Sequence, residues 1–261
     1  MEQQLQGNWY DFPQYYESFF RGETAREVQF IEKVSQQLAT VPVKTLVELG
    51  CGGGRLSLAL ARRGYRVYGV DCNIRALAWF QQRAERQGLT AYPILGDLAN
   101  FTLPEPVELA VCTFNTFRHL LSEQAARRHL TLLTEYVKPG GLYVLGFHLL
   151  PLDVAEEDEE RWSARQGCLR LQARLRVERM DRRKRREWLR LVMTVRGPRK
   201  RLRLESRFAF RIYTREQFLR LLRSVPAWQL VSVYDFWYDW RHPRQLDDWL
   251  TDAVFVLRRR E

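Results

Sequence analysis

The sequence predicts an α/β fold, a doubly wound and mostly parallel sheet with an antiparallel β insert late in the chain. Three observations carry this. Strands and helices alternate from Thr45 to Phe147 at the lengths that parallel βαβ units need. A glycine-rich turn, Gly50-Cys-Gly-Gly-Gly54, joins the first such strand to its helix. From Leu169 to Ile212 apolar and charged residues alternate with a period of two, the mark of half-buried antiparallel strands.

Residues 1–22 are rich in aromatics and end at Arg21-Gly22. Glu23 to Ala39 reads as a helix, with Val28, Ile31, Val34 and Leu38 on one face and Pro42 beyond its end. The first strand is Thr45–Leu49, and the helix after the glycine turn runs to about Arg63. Arg66–Val70 is the second strand, Ile74–Gln87 a helix stopped by Gly88, and Ala91–Leu95 the third strand. Val107–Thr113 is the fourth strand. Ser122 caps a helix to about Val137, and Leu142–Phe147 is the fifth strand. Asp153–Glu160 is an acidic loop or helix start.

Three antiparallel strands follow. Leu169, Leu171, Ala173, Leu175 and Val177 alternate with Arg170, Gln172, Arg174, Arg176 and Glu178. Trp188–Val195 alternates less cleanly, and Leu202 to Ile212 alternates again. One face is apolar and the other is arginine-rich. Thr214 then caps a helix over Arg215–Arg223, and Gln229–Tyr234 and Ala253–Leu257 are the last strands. The organisation is 1–150 as an N-terminal lid and nucleoside-binding core, 151–212 as the insert, and 213–261 as the end of the core sheet.

At 261 residues the chain suits one embellished domain, with a hydrophobic fraction of 46%. Its four cysteines and four histidines show no metal-ligand spacing, and reduced thiols in a cytoplasm are the simplest reading. The first residues lack the basic and apolar regions of a signal peptide, and no apolar run approaches a membrane span. The charge is uneven. Residues 1–150 carry 15 Lys+Arg against 14 Asp+Glu, whereas 161–215 carry 20 against 4. Such a run is usually a solvated face. The competing reading is an anionic substrate or nucleic acid.

The glycine turn lets a ligand approach the backbone, and the following helix offers unpaired N–H groups. Asp71, at the end of the second strand, is placed to accept hydrogen bonds from a ribose. A dinucleotide fingerprint would need glycine at 55, where the chain has Arg55. What stands there is E-x-G-x-G-x-G, from Glu48 to Gly54. With Asp71 and the Lys138-Pro-Gly-Gly141 turn, the chain resembles the class I S-adenosylmethionine-dependent methyltransferases. That resemblance implies a seven-stranded Rossmann-like sheet with a three-stranded insert between strands five and six.

It also implies roles for particular residues. Gly50, Cys51, Gly52 and Gly54 would line the methionine part of S-adenosylmethionine, with Glu48 beneath, directly or as a buried residue with backbone partners. Asp71 would take the ribose, Cys72 the adenine edge, and Asp97 and Leu98 the adenine itself. Thr113 and Asn115 would close the site at the end of strand four. Tyr16 to Gly22, His119-Leu and Ile212 to Phe218 are similar to segments of bacterial N-methyltransferases acting on nucleotide-linked amino sugars. His119 is then the candidate base and Tyr16 its helper or a lid residue. The implied partner is a small-molecule amine or hydroxyl acceptor, with or without a phosphate. An RNA methyltransferase using the basic insert is a second reading, though no N/D-P-P-Y/F tetrad follows strand four. A non-catalytic cofactor-binding protein, dimerising through the insert's apolar face, is a third.

Overall fold

The computed structural model describes residues 3–151 and 159–261. In chain order the elements are β1 (Gln3–Gln6), α1 (Pro13–Phe20), α2 (Thr24–Leu38), β2 (Thr45–Leu49), α3 (Arg55–Ala61), β3 (Arg66–Asp71), α4 (Ile74–Gln87), β4 (Ala91–Leu95) and β5 (Val107–Cys112). Then come α5 (Glu123–Tyr136), β6 (Val137–His148), β7 (Glu159–Gln166), β8 (Leu169–Asp181), β9 (Arg186–Arg196), β10 (Arg201–Arg211), α6 (Arg215–Arg223), β11 (Trp228–Asp235) and β12 (Asp252–Arg259).

Seven strands form the main sheet, in the order β11-β12-β6-β5-β2-β3-β4. Six run in one direction, and β12 alone runs antiparallel, to both β6 and β11. Every residue of β5 is buried, as a central parallel strand covered on both faces requires. One face is covered by apolar residues of α2, α3 and α4, including Phe30, Leu56 and Phe80. The other is covered by α5 and α6 through Leu130, Leu133 and Phe218. Local chemistry agrees with this layering. Asn73 accepts from the Arg75 and Ala76 N–H groups at the start of α4, and Thr214 with Gln217 forms a capping box on α6. The chain winds outward from β2 to β4, then returns to β5 beside β2. The crevice at the carboxyl ends of β2 and β5 is therefore the topological switch point, where open α/β sheets bind ligands.

The insert is larger than expected. Its sheet has five strands, in the order β1-β10-β9-β8-β7, rather than three. The expected acidic loop falls mostly outside the described residues, and its last two positions, Glu159 and Glu160, open β7. The extra edge is β1, Gln-Gln-Leu-Gln, which pairs parallel with β10 from the opposite end of the chain. A polar tetrapeptide carries no strand pattern; the open edge of β10 recruits it. The apolar face of this sheet is covered by the same N-terminal segment. Leu171, Leu191, Met193, Val195, Leu202 and Leu204 pack with Trp9, Tyr15 and Phe20. Each fully buried side chain of this size is worth roughly 1.5–3 kcal/mol, so the N-terminal segment is anchored rather than draped over the core.

Candidate functional site

A cavity of about 450 Å³ opens at the switch point, between the glycine turn, the N-terminal segment and β10. Gly50, Gly52 and Gly54 all adopt positive φ, at 69°, 54° and 82°. They differ in what surrounds them. A Cβ on Gly50 would strike Thr116 and one on Gly54 would strike Phe80, whereas one on Gly52 would point into open space. The outer two glycines thus allow close packing, and the middle one leaves the cavity wall bare.

Asp71 closes one end. Its Oδ2 accepts from Gly52 N and its Oδ1 from Asn73 N, both at 2.8 Å. Each oxygen keeps a lone pair for a further donor. Burial pushes its carboxyl up, and the hydrogen bonds from the Asn73, Gly52 and Cys72 backbone oppose this. Cys72, Asp97 and Leu98 line the same end. Asp97 accepts from Ala99 N at 2.8 Å, so the carboxylate is held by its own turn and faces the cavity. Cys51 lines the wall, but its thiol is buried. Glu48 also borders the cavity, yet its Oε2 accepts from the Ser57 backbone N–H at 2.8 Å and from the Ser57 hydroxyl. Desolvation raises its pKa to about 8. Its settled partner is the first turn of α3.

The far end is aromatic. His119 Nε2 lies 3.1 Å from the hydroxyl of Tyr10, and His119 packs edge-on to Phe210. Burial and the nearby Arg118 guanidinium lower the His119 pKa to about 4, so the ring is neutral near pH 7. Burial pushes the Tyr10 hydroxyl far up, so it keeps its proton; with His119 in its Nδ1–H tautomer it donates to Nε2. Tyr16, expected beside the histidine, lines the cavity and packs its ring on Trp9, Tyr10 and Phe20. The residue bonded to His119 is Tyr10 instead. Both tyrosines sit in the same aromatic run, and only the fold of residues 7–20 decides which one reaches His119.

One other expectation changes. Thr113 lines the cavity, but Asn115 does not. Held at φ 65°, Asn115 accepts from His148 N at 2.8 Å and faces a second cavity behind the His119 segment. A second histidine, His148, lines that second cavity with Arg118 and Asp252. Glu17, by contrast, gave no signal in the sequence beyond lying among aromatics. It lines the cavity beside Gly53 and pairs with Arg83 through Oε2. Its Oε1 is buried and has no partner among the described residues. Burial raises its pKa, opposed by Arg83.

This donor set fits S-adenosylmethionine. Asp71 suits a ribose diol, the bare Gly52 wall admits the ligand closely, and the orphan oxygen of Glu17 suits an amino group. Comparison with known proteins agrees. Residues 46–141 match the family described as a methyltransferase domain. A ubiquinone biosynthesis O-methyltransferase of Cereibacter sphaeroides is 35% identical over 102 residues, covering 38% of this chain and 39% of that protein. The chain spans about half the length, or less, of such curated relatives. In fold, it resembles an S-adenosylmethionine-dependent methyltransferase from Clostridium acetobutylicum with a TM-score of 0.79 at 14% identity, over 97% of this chain and all of that one. It also resembles CalS10, an amino pentose methyltransferase from Micromonospora echinaspora, with a TM-score of 0.72 at 18% identity, over 94% and 96% of the two chains. Among the described residues, no helix is long and apolar enough to cross a membrane.

Proposed function

We propose that the protein methylates a small-molecule amine, using S-adenosylmethionine. The observation that carries this reading is the arrangement of one cavity, with Asp71 at its nucleoside end, bare glycine backbone in its middle and the Tyr10–His119 pair at its far end. The fold likeness to CalS10, an amino pentose methyltransferase, and to the sugar N-methyltransferase KedS8 from Streptoalloteichus supports an amine rather than a hydroxyl.

S-adenosylmethionine supplies a methyl group already activated on a sulfonium. The residues of the chain have the task of positioning and of excluding water. Tyr10, Tyr16 and Phe208 line the far end of the cavity with aromatic surface. With His119 in its Nδ1–H tautomer, the Tyr10 hydroxyl donates to Nε2 and its oxygen is free to accept an N–H of the incoming amine. That bond turns the nitrogen lone pair toward the methyl. With its pKa near 4, His119 is too weak a base to strip a proton from an ammonium. The amine must therefore enter neutral, and the pair orients it. Proton loss follows the methyl step and ends in solvent.

Transfer of labelled methyl to a panel of amino sugars, simple amines and matched hydroxyl compounds tests the proposal. Turnover on amines only, reduced at least tenfold in Tyr10→Phe, is expected. Methylation of the hydroxyl compounds alone would remove the amine assignment. Failure to bind S-adenosylhomocysteine by calorimetry would remove the cofactor assignment as well.

A further inference from the structure

The outward face of the insert sheet is divided into two halves of different electrostatic character. In one half, arginines and carboxylates alternate across strands. Glu159 pairs with Arg161, Arg174 and Arg176, while Glu178 and Glu205 both pair with Arg190 and Arg207. The other half has no such partners. Arg165 on β7 lies directly opposite Arg170 on β8, Arg170 opposite Arg196 on β9, and Arg196 opposite Arg201 on β10. All four are exposed, and none makes an ion pair with a described residue. Residues 163–173 and 191–204, which carry this half, contain no Asp or Glu.

Like charges facing one another across a ladder destabilise a sheet. Four in one row is a standing cost, whereas Glu159, Glu178 and Glu205 neutralise Arg161, Arg174, Arg176, Arg190 and Arg207 on the same sheet. Strand spacing of about 4.8 Å makes the row ~14 Å long. Over that length a nucleic-acid duplex carries roughly eight phosphates.

We propose that this unpaired row, Arg165-Arg170-Arg196-Arg201, binds the phosphate backbone of a double-stranded nucleic acid. The neighbouring outward positions are Gln172, Thr194 and Arg203, with no aromatic ring on which unpaired bases could stack. That favours a duplex over a single strand. The exposed large apolar side chains, Ile74, Tyr92, Leu95, Trp237 and Trp249, all lie outside this sheet, so the face lacks the wedge that a lipid surface would take. Side chains on a strand alternate between faces, so the row points away from the aromatic face that closes the methyl-transfer cavity. The surface is a docking site that contacts backbone, and it carries no base specificity.

Fluorescence anisotropy with 20-base-pair duplex RNA and DNA of unrelated sequences tests this. Binding should be indifferent to sequence. Four phosphate contacts give a log–log salt slope of about −3.6, or a loss of ~150-fold between 50 and 200 mM salt. The R165Q/R170Q/R196Q/R201Q variant should bind at least 100-fold more weakly at 50 mM salt, with an undiminished melting temperature, because it removes like-charge repulsion. Should that variant fail to fold, each single Arg→Gln change should reduce the slope by about one unit. The carboxylate-paired control R174Q/R207Q should bind like the parent. No duplex binding at 50 mM salt overturns the proposal. So does binding to phosphatidylserine vesicles without binding to duplexes, or an equal loss in the control.

Discussion

Replacing Asp71 by alanine is the sharpest probe of the nucleoside end of the cavity. The carboxylate already accepts Gly52 N and Asn73 N, each at 2.8 Å, and offers one further lone pair on each oxygen. Two ribose hydroxyls would fill those. A hydrogen bond to a charged group is worth about 1.5–3 kcal/mol. Losing two costs at least ~3 kcal/mol, or about 150-fold in affinity. Releasing the two backbone N–H groups loosens the glycine turn and adds a smaller loss. Calorimetry with S-adenosylhomocysteine and with its 2′,3′-dideoxy analogue separates these contributions. The substitution should cost the full amount for the natural ligand and only the loop contribution for the analogue. Equal losses for both would make Asp71 a loop clamp, and no loss for either would refute its placement in the site.

Other consequences follow from the same geometry. Gly54→Ala combines a left-handed φ of 82° with contact on Phe80, and should destabilise by about 2–4 kcal/mol, read as a lowered melting temperature. Gly52→Ala faces open space, so it should cost about 1 kcal/mol of stability while greatly weakening S-adenosylhomocysteine binding. Arg118→Met leaves Glu187 buried without its partner and should cost about 3–5 kcal/mol, with the double variant Arg118→Met/Glu187→Leu recovering most of it in thermal unfolding. Acid should also destabilise the fold. Burial holds both His119 and His129 neutral down to about pH 4, whereas unfolded histidines protonate near 6.5. The unfolded state therefore binds more protons between those values, and each histidine removes up to about 1.4 kcal/mol per pH unit as pH falls from 6.5 toward 4. Glu48 acts in the opposite sense, since its raised pKa of about 8 makes its contribution fade as pH rises from 4.5 toward 8. A His129→Gln variant whose melting temperature falls as steeply as the parent's between pH 6.5 and 4.5 would contradict the neutral burial of that ring.

The main sheet, and the end of the cavity that Asp71 closes, were legible because their signals are local. A strand, a turn that only glycine can make, and an acid at the next strand tip lie within the 27 residues from Thr45 to Asp71. The alternation over Leu169–Val177 and Leu202–Ile212 was equally local. The sequence could not specify what covers the insert's apolar face, because the partner is the aromatic segment 9–20, some 150 residues earlier. The same long-range packing decided that β1 joins β10, that Tyr10 and not Tyr16 meets His119, and that Asn115 turns to His148. Chemistry carried by backbone conformation is written in consecutive residues. Contacts between segments far apart in the chain depend on which buried surfaces find each other, and only the folded structure decides that.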